Sequence, residues 1–112
     1  MLYTTIALFS VAAIVGFLIL KNWLTSATTS RTTIYVHGIF AAIALIILII
    51  YAFQNTSHYP KASIIVFIVA ALIGLYMFIE DLRKKYSPTW LAVVHALFAI
   101  GGFLMLLFFV FA

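Results

Sequence analysis

The chain contains no cysteine among its 112 residues. Disulfides, iron–sulfur clusters and thiolate metal sites are therefore excluded. Charge is almost as scarce. Six Lys and Arg stand against two Asp and Glu, and charged residues make up only 7% of the chain. A soluble domain carries nearer a quarter. With 68% of residues hydrophobic, this charge cannot clothe a surface that faces water. The solvent must be lipid. The net charge of +4 is consequently no nucleic-acid signal. The basic residues lie between apolar runs, where they report orientation instead. A Gly-rich phosphate loop and a Ser/His/Asp set are also missing.

What the chain does have is long uncharged stretches. Four stand out: residues 2–20, 32–53, 62–79 and 89–112, of 19, 22, 18 and 24 residues. About 20 apolar residues at 1.5 Å rise cross a hydrocarbon core of about 30 Å. Val and Ile would favour strands in water, but backbone in lipid must satisfy its own hydrogen bonds, so runs this long become helices. The alternation of a β-barrel is absent. Residues 21–31, 54–61 and 80–88 read as polar connections, and Ser87-Pro88 as a helix start with Ser at the cap and Pro at the first helical position. Short connections make neighbours antiparallel. The expected fold is an all-α integral membrane protein, a four-helix up-and-down transmembrane bundle in one domain, 1–112.

The chain also matches itself. Shifted by 58 positions without a gap, Val36-His37-Gly38-Ile39-Phe40-Ala41 lies on Val94-His95-Ala96-Leu97-Phe98-Ala99. On the same shift Ala12-Ala13-Ile14-Val15-Gly16 lies on Ala70-Ala71-Leu72-Ile73-Gly74. Residues 1–54 and 59–112 share 13 identities, clustered at those places. The reading is two tandem two-helix hairpins related by an axis along the membrane normal. That symmetry puts His37 and His95 at one depth on diagonally opposed helices, whose axes lie about 11–14 Å apart in a square bundle.

An ionisable side chain within a membrane helix is costly and is a functional candidate by default. His37 lies roughly 9 Å along the helix from Arg31, and Gly16 roughly 7–8 Å from Lys21, so one layer should hold Gly16, His37, Gly74 and His95. Three, four and seven residues beyond a helical His share its face. For His37 these are Phe40, Ala41 and Ala44, and for His95 Phe98, Ala99 and Gly102. Two neutral imidazoles, small residues beside them and aromatic walls suit haem b. His37 and His95 would be its axial ligands, with Gly16, Gly74, Ala41 and Ala99 giving clearance and Phe40 and Phe98 packing on the macrocycle. Lys21, Arg31, Arg83, Lys84 and Lys85 lie on the same side for its propionates. Zinc or copper would be left short of ligands. His58 falls in the opposite connection and reads as a solvated loop residue.

On the paired Val36-His37 and Val94-His95 in a four-helix frame, the chain resembles the small four-helix membrane b-type cytochromes, including the cytochrome b561 group. The resemblance implies electron transfer, with a membrane quinone or a cytoplasmic redox partner, rather than dedicated catalysis. Those families often carry two haems on four ligands. This chain has one candidate pair, so a two-haem wire across the membrane is not expected.

Three alternatives stand beside that reading. The histidines could be structural, bonding helices together through polar contacts in a non-redox protein. A proton or solute pathway needs polar residues at several depths, and the far half is almost wholly apolar apart from Tyr51 and Tyr76. A quinone-level enzyme would use Tyr35 or Tyr76 as proton donors. A 12.5 kDa bundle could also form a homodimer through lipid-facing Ala or Gly.

Orientation follows from the cations. The first and third connections hold Lys21, Arg31, Arg83, Lys84 and Lys85, and the second only Lys61. The positive-inside rule makes connections 21–31 and 80–88 cytoplasmic and both termini external, in a bacterial inner membrane. Trp23 and Trp90 flank those connections, at the level of an aromatic belt. The lack of native thiols makes this easy to check. With an impermeant maleimide on sealed cells, Ser57→Cys should label directly and Ser26→Cys only after permeabilisation. The reverse pattern would invert the orientation.

Overall fold

The computed structural model describes residues 1–85 and 88–112. It contains four helices: α1 (Leu2–Leu24), α2 (Arg31–Gln54), α3 (Lys61–Leu82) and α4 (Thr89–Phe111). Each has 22 to 24 residues and is long and apolar enough to cross a membrane. The apolar runs understate them. Residues 21–24 and 80–82, expected in connections, continue α1 and α3. The reason is local. The first polar residues after an apolar run still complete backbone bonds of the last turn, and nothing there stops the helix.

What stops α1 and α3 is the same device in both. The chain turns left-handed at Ser26 (φ 59°) and Lys84 (φ 57°). Ala27 N–H then bonds Asn22 O and Ser26 N–H bonds Trp23 O; Lys85 N–H bonds Glu80 O and Lys84 N–H bonds Asp81 O. This is the Schellman closure, which satisfies the orphan carbonyls of a helix end. No glycine marks it in the sequence. α2 begins conventionally, with the Ser30 hydroxyl accepting from Thr33 N–H at 3.2 Å. Pro88 sits at the cap of α4 and Thr89 is the first helical residue, one position later than the sequence suggested. The Ser87 cap lies outside the described residues.

Each helix packs on its chain neighbour, α1 also packs on α4 and α2 on α3; backbones of the diagonal pairs, α1–α3 and α2–α4, stay apart. The result is a four-helix up-and-down bundle, 44 Å long and about half as wide. Most of its buried residues fall in pairs 58 positions apart. Thr5 and Ser63, Phe9 and Phe67, Ala12 and Ala70, Ala44 and Gly102, and Leu48 and Leu106 are all buried. Phe9 and Phe67 reach across the α1–α3 diagonal and stack at 4.1 Å with planes 7° apart. Ser63 Oγ donates to Gly102 O at 2.8 Å, tying α3 to α4.

Most of the apolar surface points outward. Ile14, Phe53 and Phe108 are more than 60% exposed. That surface would be untenable in water and is what a bilayer requires, so this is a membrane-spanning bundle. Trp90 lies outward, as a belt residue should. Trp23 does not: its indole nitrogen is sealed inside without a hydrogen-bond partner among the described residues.

Between helices in lipid, close packing stabilises more than hydrophobic transfer does. Leu106 is fully buried, while Leu104, two residues away, is 59% exposed. Leu106→Ala should lower unfolding free energy in detergent by about 2 kcal/mol or more, and Leu104→Ala by less than about 0.5 kcal/mol. Denaturant titration of helicity measures both.

Candidate functional site

His37 on α2 and His95 on α4 meet inside the bundle. Their ring centroids are 6.2 Å apart with planes at 82°. The two rings lie closer than the helix diagonal because each side chain reaches inward from its own helix. Both are half-buried.

Each ring is held by its hairpin partner helix. His37 Nδ1 lies 2.8 Å from Ala12 O and His95 Nδ1 lies 2.8 Å from Ala70 O. A carbonyl can only accept, so Nδ1–H donates in both rings. In a neutral ring the lone pair is then on Nε2. Among the described residues neither Nε2 has a protein hydrogen-bond partner.

The glycines explain how an imidazole reaches a helix carbonyl. A side chain covers the turn before its own Cα. Gly16 follows Ala12 by four residues, and Gly74 follows Ala70 by four, so the missing side chains leave those carbonyls open. They also leave room for the rings. A Cβ on Gly16 would lie 2.9 Å from His37 Cε1, and one on Gly74 would lie 2.9 Å from His95 Cε1. Gly16, His37, Gly74 and His95 thus form one layer. The space beside each glycine holds its imidazole.

The neighbours divide. Phe40, Ala41 and Ala99 are half-buried. Phe98 is 38% exposed. Ala44 and Gly102, one turn further, are in the core. Among the cations, Arg31 is already committed. Its Nη1 lies 2.7 Å from Asp81 Oδ2, joining α2 to α3, with both side chains nearly half exposed. Such a pair adds at most about 1 kcal/mol. Tyr35 packs edge-on to Phe78 in the same seam, with ring centroids 5.8 Å apart. Tyr76 is outward-facing and not part of the layer.

Ala12 and Ala70 are the residues that sequence reasoning undervalued. Their side chains only pack, but their carbonyls fix the histidines. The signal was present as the spacing Ala-x-x-x-Gly, repeated at 12–16 and 70–74. Phe9 and Phe67 were likewise legible as an identity on the 58-residue shift.

Comparison with protein-family models, curated proteins and solved structures returns no match.

The steric role of the two glycines can be isolated. A Cβ at Gly16 or Gly74 meets a ring pinned by its own hydrogen bond. Gly16→Ala and Gly74→Ala should each destabilise by about 1–3 kcal/mol. Gly38 and Gly101 have no neighbour within 4 Å of a built Cβ. Gly38→Ala and Gly101→Ala should be neutral, or stabilise by up to about 1 kcal/mol through helix propensity. Equal responses at all four positions, read by denaturant titration, would remove the steric assignment.

Proposed function

We propose that this chain is a membrane electron-transfer protein in which His37 and His95 are the axial ligands of one b-type haem. The observation that carries the reading is the state of the two rings. They are half-buried and close together, with Nδ1 engaged and Nε2 free of protein partners. Metal-ligating histidines typically donate their other ring N–H to a carbonyl or carboxylate, which fixes tautomer and orientation.

The donor set fits that group. His37 and His95 lie near enough to each other, with centroids 6.2 Å apart, that both would hold such a group. No third His, Asp or Glu joins the pair among the described residues. A bare zinc or copper ion would be two ligands short, whereas haem brings four nitrogens of its own. When bound, haem supplies a reversible one-electron couple at iron, tuned by its axial ligands and by burial.

The rest is done by the chain. The Ala12 and Ala70 carbonyls hold both rings as the Nδ1–H tautomer. Gly16 and Gly74 admit the rings. Phe40, Ala41 and Ala99 supply the apolar surround. The repeated hairpin is supported by paired burial and paired helix ends at positions 58 apart, and would keep both ligands at one depth. Electrons would pass to or from a membrane quinone or a donor at the cation-rich end, taken as cytoplasmic. If both His37 and His95 held the iron, it would keep no open position, which would favour electron transfer over oxygen chemistry.

A second reading has support of its own. The same Nδ1–carbonyl bonds are interhelical, and would serve as structural ties in a non-redox membrane protein. The two readings part at Nε2. Protein purified in detergent after haem supplementation should show a Soret band that sharpens on reduction. His37→Ala combined with His95→Ala should abolish it while helicity persists. A colourless wild-type protein, or a full-strength band in the double variant, would decide for the structural ties.

A further inference from the structure

We infer that the lipid-facing groove between the start of α3 and the end of α4 binds an anionic phospholipid, with the phosphate at Lys61 and an acyl chain along α4. The groove has a volume of about 520 Å³. Tyr59 and Lys61 line its mouth, and Leu104, Met105 and Phe108 line its length. This end of the bundle is far from the imidazole layer, and the inference is independent of any cofactor there.

The argument rests on charge and on depth. Lys61 is the only Lys or Arg in the second connection, and the chain's two acids, Glu80 and Asp81, lie at the opposite end. Lys61 has no ion-pair partner among the described residues. As the first residue of a membrane helix it sits where apolar core gives way to headgroups. An ammonium there, above an apolar groove, complements a phosphodiester whose chains run down into the bilayer. Near a membrane surface one cation is worth about 1 kcal/mol toward anionic lipid, or about fivefold. His58 supplies a second ring at the rim, 4.7 Å from Phe109, which also lines the groove. Leu104 and Phe108 are one helical turn apart on one face, both strongly exposed, and so present a continuous strip to a chain.

The first hairpin provides an internal control. On the 58-residue shift Lys61 corresponds to Tyr3, and Leu104, Met105 and Phe108 correspond to Ile46, Ile47 and Ile50. That face is equally apolar but has no Lys or Arg at the position of Lys61. A lipid site built by Lys61 should therefore exist on one hairpin only.

The native tryptophans, Trp23 and Trp90, both lie toward the other end and can be replaced. In a Trp23→Phe, Trp90→Phe background, Met105→Trp reports on the groove and Ile47→Trp on its counterpart. The proteins are placed in mixed phosphatidylcholine–phosphatidylglycerol vesicles in which one lipid or the other carries brominated chains, and fluorescence quenching gives the local composition. Phosphatidylglycerol should be enriched severalfold, up to about fivefold, beside Trp at 105 and not beside Trp at 47. Lys61→Gln should abolish the enrichment and Lys61→Arg should keep it. Equal quenching by both lipids at 105 would overturn the inference. So would enrichment that survives Lys61→Gln, or equal enrichment at 47, since either would reflect general surface charge. Lys61 is exposed, so its variants should fold, and helicity in the same vesicles confirms that they do.

Discussion

A histidine can be kept inside a membrane bundle only if its polar nitrogens have somewhere to go. Here one nitrogen of each ring goes to a backbone carbonyl on the neighbouring helix. That carbonyl is reachable because the residue one turn later is glycine. Three residues therefore act as a unit in each hairpin: the alanine that offers its carbonyl, the glycine that uncovers it, and the histidine that takes it. Alanine in place of the glycine would push the ring away, and the ring would lose its acceptor. With Nδ1 occupied, the remaining chemistry is confined to Nε2, and this follows from packing before any ligand is considered.

The rest of the bundle is arranged around that layer. Toward the far end the core is built of small residues, then the Phe9–Phe67 stack, then Leu48 and Leu106. Small residues bring the helices together where the carbonyl bonds need short interhelical distances. Stacked aromatic rings then meet across the α1–α3 diagonal. In lipid this contact, rather than escape from water, is what holds helices together. Both hairpins use the same solution at the same offset, down to the left-handed residue that ends α1 and α3. The ends differ. One holds most of the cations and the Arg31–Asp81 pair that ties the two hairpins. The other holds a single lysine, without an ion-pair partner among the described residues, above an apolar groove.

Several features could be read directly from the residue order. Four spans, their antiparallel course and the common depth of His37 and His95 follow from hydropathy, connection length and the 58-residue shift. Helix ends were less legible, because apolar runs mark the hydrocarbon core and not the last hydrogen-bonded turn. Lys21 and Glu80 are charged yet helical, and the closures at Ser26 and Lys84 lack the glycine that usually announces them.

Composition and order alone decided the solvent of this protein, its helical class and which two polar side chains must share a depth in lipid. Those are consequences of transfer energy and of helix periodicity, which act locally along the chain. Tertiary packing alone decided what those side chains do with their nitrogens. It brought the rings to 6.2 Å, chose Ala12 and Ala70 as acceptors and gave the glycine space to the imidazoles. Such choices depend on how far two helices approach and how they are rotated, and no single helix carries that information.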